Sequence, residues 1–144
     1  MSPKTAFDAD VLIYAAAKDH PLGKRIAALF ADADADEAVG IGSVLLLTEV
    51  LAKPMRDDPE SDECAALVSL LSRLELQPFD APTARLSLAL AVSYGLRAAD
   101  AAHLATAVAA GADRFLTNNR KDFPQSIAEI DIVYPDELAA EGRT

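Results

Sequence analysis

Short apolar runs alternate with longer stretches of helical period along nearly the whole chain, and that alternation constrains the fold more than any other feature. Residues 5–7, 38–41, 76–79, 114–117 and 130–133 read as strands, the last with alternating character. Between them, 11–16 form a turn of helix, and apolar residues at Leu22, Ile26, Leu29 and Phe30 recur at helical spacing behind Pro21, which suits a first helical position. Ser43 is placed to cap a helix through 44–51 toward Pro54. Residues 63–74 put Leu67, Leu70, Leu71 and Leu74 on one face. Asp80 and Pro82 start a helix over 83–94 that ends at Gly95, and 98–110 form another that stops at Gly111. Strands separated by helices pair in parallel, so the expected fold class is α/β, one domain over 1–144 with a central, mainly parallel sheet of four to five strands flanked by helices.

The 144 residues are enough to bury roughly 70% of the unfolded surface. A hydrophobic content of 51% with 25% charged residues suits a chain folded throughout. The single cysteine, Cys64, rules out an internal disulfide and fits a reducing compartment. The start reaches Asp8 before any signal-like apolar run, and no later run approaches the ~20 residues of a membrane span, so a cytoplasmic protein is expected. A net charge of −10 excludes a broadly basic nucleic-acid surface. The acidic runs around 32–37, 57–63 and 136–141 read as solvated loops and helix starts.

Five of the other acids, Asp8, Asp10, Glu49, Asp100 and Asp122, are placed to share one edge of the sheet. In open α/β sheets ligands bind beyond the carboxyl ends of the strands, where loops meet helix amino termini. Asp8 and Asp10 follow the first strand, and Thr117, Asn118, Asn119 and Asp122 follow the fourth. Glu49 and Asp100 lie on helices able to face that edge. Mg²⁺ takes oxygen ligands, retains several waters and is held by a few carboxylates. So placed, it lowers the pKa of an attacking water and neutralises charge on a phosphodiester. Each acid also has a plainer reading. Asp8 could be a cap, Glu49 could pair with Lys53 four residues on, and Asp100 could be a first-turn acid favoured by the helix dipole. The apolar flanks of Glu49 suggest instead a helix buried almost all round, in which an acid needs a partner. His103 shares a face with Asp100 and reads as a packed, hydrogen-bonded residue, or as a contact to a metal ligand or phosphate.

Taken together, the stretch from Phe7 to Ala15, the helix from Ser43 to Leu51, and the run from Arg97 through His103 and Thr106 to Thr117, Asn119, Asp122 and Phe123 resemble the PIN-domain family, within it the VapC-type toxins of toxin–antitoxin pairs. The resemblance implies a Mg²⁺- or Mn²⁺-dependent ribonuclease with Asp8, Glu49 and Asp100 as catalytic, metal-binding acids and Asn119 or Asp122 at a fourth position. It also implies a homodimer, an RNA substrate and a small antitoxin. Where the family usually has Thr or Ser after the first acid and then Asn or Ser, this chain has Ala9 and Asp10, and where many members have Asp this chain has Asn119. Asp10 is therefore a fifth candidate. Lys18, Arg97, Arg120 and Lys121 are the bases expected to face RNA, few enough that a structured RNA would be chosen by shape. Two other readings stay open. Asp8-Ala9-Asp10 also resembles the acid pair of haloacid-dehalogenase-like phosphatases, and the altered motif also suits a PIN-like binding module that has lost catalysis.

Overall fold

Thr5, Ala6 and Phe7 are all buried, as befits a strand with neighbours on both edges and helices over both faces. In the computed structural model, which describes residues 3–17 and 19–139, they form β1 (Thr5–Phe7), the middle of a five-stranded sheet. The others are β2 (Gly40–Ser43), β3 (Leu74–Gln77), β4 (Arg114–Leu116) and β5 (Asp131–Val133). Their order is β3-β2-β1-β4-β5 and every pairing is parallel. Ala6 lies opposite Ile41 on one side and Phe115 on the other.

Six helices flank this sheet among the described residues: α1 (Ala9–Ala16), α2 (Pro21–Asp32), α3 (Leu46–Asp57), α4 (Asp62–Ser72), α5 (Ala81–Tyr94) and α6 (Ala98–Ala109). None is long and apolar enough to cross a membrane. Strand side chains alternate between the faces, so the core has two halves. Ala6 and Phe115 pack with Leu90 of α5 and the small residues of α6, while Phe7 and Leu116 pack with Val11, Ile26, Leu46 and Leu67. Every residue from Ala101 to Ala107 is buried. Helix starts follow local chemistry: Ser61 Oγ accepts from the Cys64 N–H at 3.1 Å, and Asp80 Oδ1 from that of Thr83 at 3.0 Å.

Several boundaries differ from expectation by one to three residues, and three have a clear physical reason. β2 lies two residues later than the apolar run suggested because it contains two glycines that are needed for close approach. A Cβ on Gly40 would sit 2.2 Å from the Thr5 carbonyl oxygen, and one on Gly42 would sit 2.4 Å from the Leu46 side chain. β3 begins at Leu74, not Leu76. Leu74 continues the leucine spacing of α4, so periodicity alone assigned it to the helix. α3 starts at Leu46 and runs through Pro54 to Asp57. Ser43 lies before it, its Oγ accepting from the Leu45 N–H at 3.1 Å. Pro54 has no N–H for the Val50 carbonyl, a local loss that does not stop the helix near its end.

Candidate metal centre at the carboxyl edge of the sheet

Asp8 stands where β1 ends and α1 begins. Its N–H donates to the Leu116 carbonyl of β4 at 3.0 Å, which holds it at the sheet edge. Its side chain caps α1, Oδ1 accepting from the Ala9 N–H at 2.8 Å and Oδ2 from the Thr117 hydroxyl at 2.7 Å. Burial pushes its pKa up, the Thr117 hydrogen bond and the charge of His103 opposing, and nearby Glu49 adding to the rise. Both the capping and the metal-facing readings of Asp8 fit this geometry, since each carboxylate oxygen retains a lone pair.

Glu49 lies one turn into α3. The helix is not buried all round: Leu46, Val50 and Leu51 face the core, whereas Leu45 and Leu47 are exposed. Nor does Glu49 pair with Lys53, which binds Asp57 at 2.7 Å instead. The partner of Glu49 is His103, with Nε2 2.7 Å from Oε2. The imidazole side chain is 1% exposed and the glutamate's 36%. That hydrogen bond holds the Glu49 carboxyl below its ordinary pKa, outweighing burial. Burial opposes a charged imidazolium, yet the hydrogen bond to Glu49 and the charges of Asp8, Glu49 and Asp100 together raise the pKa of His103.

Asp8, Glu49 and His103 each offer a ligand atom within 4.8 Å of the other two. Asp100, half-buried in the first turn of α6, has its pKa raised by burial and then by the charges of Asp8, Asp122 and Glu49. Four carboxylates thus crowd one edge of the sheet. Asn119 is hydrogen-bonded to one of them, Asp122. Its Nδ2 donates to Asp122 Oδ2 at 2.9 Å and its Oδ1 accepts from the Asp122 N–H at 3.3 Å, so the amide braces the loop and orients Asp122. Asp10 is tied to the same loop, Oδ2 accepting from the Asn118 N–H at 3.1 Å. Its Oδ1 is buried with no hydrogen-bond partner among the described residues. Burial first, and Asp8 second, push its pKa up to about 7.

The chemistry of this donor set fits a hard divalent cation. The raised pKa values of Asp8, Asp10 and Asp100, and an Asp10 oxygen with no partner among the described residues, each mark a cost that positive charge would relieve. Thr117, expected at this edge but given no role there, is fully buried and links the parts, donating to Asp8 and accepting from the Asn119 N–H at 3.1 Å. Its position at a strand end, ahead of the polar turn that leads to Asp122, was the signal for it. Among the bases expected at the edge, Arg97 and Lys121 are exposed. Arg120 is engaged elsewhere, 2.6 Å from Asp136 and over the Tyr134 ring at 4.2 Å. Lys18 lies outside the described residues.

A family model described as the PIN domain matches residues 6–127. The chain belongs to the PIN-domain family. The reading of Asp8 and Asp10 as a phosphatase pair falls with that assignment. Solved structures share the PIN fold at low identity. A toxin–antitoxin complex from Klebsiella pneumoniae is 23% identical with a TM-score of 0.68, covering 94% of this chain and 99% of its own. DNA-bound VapBC from Salmonella typhimurium is 21% identical with a TM-score of 0.70, at 93% and 99%. VapBC2 from Rickettsia felis, bound to a DNA fragment from its promoter, is 20% identical with a TM-score of 0.69, at 90% and 97%. No curated protein sequence matches.

Proposed function

We propose that this PIN-domain chain is a divalent-metal-dependent endoribonuclease, the toxin of a type II toxin–antitoxin pair. The observation that carries the proposal is the gathering of Asp8, Glu49 and His103 at one edge of the sheet, with the acid Asp100 near enough to feel the charges of Asp8 and Glu49. These three acids would hold Mg²⁺ or Mn²⁺, with Asp122 at the fourth position and Asn119 holding Asp122 in place. A metal bound there supplies an activated water and neutralises charge developing on the phosphodiester. Thr117 fixes the orientation of Asp8, and His103 fixes that of Glu49. Arg97 and Lys121, beside Asp100 and Asp122 in sequence, are the cations available to hold RNA phosphates. The family match and the toxin–antitoxin character of the structural neighbours support this reading. It further takes 1–144 as one PIN-like domain, cytoplasmic with its RNA, homodimeric and held by a small antitoxin.

The test is cleavage of total cellular RNA with Mg²⁺ or Mn²⁺ by wild type, Asp8→Asn and Asp100→Asn. Loss of cleavage in both variants is expected. Equal background in all three would make the chain a non-catalytic PIN-like binding module. Brisk hydrolysis of an aryl phosphate without RNA cleavage would sink the nuclease reading altogether.

A further inference from the structure

We propose that Tyr14 and His20 form a stacking site for one base of single-stranded RNA beside the metal centre. The inference rests on the ribonuclease reading above. The two rings are stacked, with centroids 4.1 Å apart and planes 13° from parallel. Tyr14 packs against the core formed by α1, α2 and α3, and both it and His20 keep part of their surface exposed. The pair is tied to the site. The Tyr14 hydroxyl accepts from Asn118 Nδ2 at 3.4 Å, and the Asn118 N–H donates to Asp10.

His20 is also held in one orientation. It is the N-cap of α2, its Nδ1 accepting from the Leu22 N–H at 3.2 Å. A ring locked by a backbone hydrogen bond and supported by a second ring loses little side-chain freedom on contacting a base. Gly23, one turn into α2, lets this element come close: a Cβ there would sit 2.1 Å from the Tyr14 carbonyl oxygen. A chain of net charge −10 has few cations with which to hold RNA, and stacking supplies affinity that does not depend on them.

Capping and stacking can be separated by substitution. His20→Asn keeps a side-chain acceptor for the helix start and removes the ring, whereas His20→Phe keeps a ring and removes the acceptor. The probe is a fluorescein-labelled single-stranded RNA of about eight nucleotides, together with a set in which each nucleotide in turn is abasic. Binding is read by anisotropy with Ca²⁺ in place of Mg²⁺. Loss of one aromatic–base stack is expected to weaken binding roughly 5- to 150-fold. His20→Asn should show that loss, His20→Phe should bind like wild type, and one abasic position should weaken wild type but not His20→Asn. Thermal unfolding of each variant reports the capping contribution separately. Wild-type affinity in His20→Asn, or an equal loss at every abasic position, would overturn the stacking site and leave the nuclease reading standing. Cleavage-inactive wild type that binds none of the RNAs would overturn both.

Discussion

Thr117 has no exposed surface, and its hydroxyl serves two neighbours at once, Asp8 and the Asn119 N–H. Thr117→Val keeps the shape and removes both interactions, leaving a buried carboxylate oxygen and a loop N–H unpaired. The expected loss of stability is about 1–3 kcal/mol by urea unfolding, with cleavage falling as Asp8 loses its fixed orientation, and Thr117→Ser should restore most of both. An unchanged Thr117→Val would mean that the hydroxyl positions nothing. His103 acts on Glu49 in the same way: the glutamate is partly exposed, and the buried imidazole holds one of its oxygens. His103→Ala should weaken Mg²⁺ binding about 10- to 100-fold, measured by titration of the thermal shift, and His103→Gln should recover part of it. Asp8, Glu49 and Asp100 were legible as individual acids because each interrupts an apolar or small-residue setting. The partners of Asp8 and Glu49 were not, since they lie 109 and 54 residues away.

At the level of elements, the helix starts were written in local chemistry. Asp80 and Pro82 act within three residues of themselves, so the sequence alone locates them, whereas the Ser61 cap of α4 lies inside what reads as an acidic loop. Strand ends were less legible where glycine stood in the strand. Gly40 belongs to β2 because the Thr5 backbone and the Phe7 ring leave no room for a side chain. Gly40→Ala should destabilise the fold by about 1–3 kcal/mol through forced separation of β1 and β2, and the same substitution at Gly111 should cost less, since nothing lies within 4 Å of its added Cβ and only its positive φ is strained. Equal stability of Gly40→Ala and wild type in urea would show that the two strands can yield. Leu74 shows the complementary ambiguity, satisfying the spacing of α4 while belonging to β3.

For the whole molecule, the gathering of acids makes stability depend on pH and on metal. Asp8, Asp10 and Asp100 all bind their protons more tightly than ordinary aspartates, Asp10 with a pKa of about 7. Ionising such a group favours the unfolded chain, so stability withheld at high pH returns as pH falls through 7 toward the ordinary 3.8. His103 works in the same direction. Its stabilisation as imidazolium is complete below its ordinary 6.5 and is lost as pH rises through its higher folded value. The lowered pKa of Glu49 acts oppositely, but only below its ordinary 4.5. The metal-free protein should therefore melt at a higher temperature at about pH 6 than at about pH 8, and millimolar Mg²⁺ should raise the melting temperature at the higher pH and flatten the dependence. A melting temperature that falls on acidification over this range, or that ignores Mg²⁺, would count against a preformed centre.

By itself the sequence determined the alternation of strands and helices, the parallel sheet it requires, and the acids at the strand ends and helix starts. All of these follow from the period of apolar residues and from caps acting over a few positions. Only the tertiary structure decided which partners those acids meet. It turned Glu49 from Lys53 to His103, bound Asp8 to Thr117, used the amide of Asn119 inside its loop and left one oxygen of Asp10 without a partner among the described residues. The reason is that periodicity states which face a residue occupies, whereas the strand order β3-β2-β1-β4-β5 sets which distant segments lie side by side at the edge where that face ends.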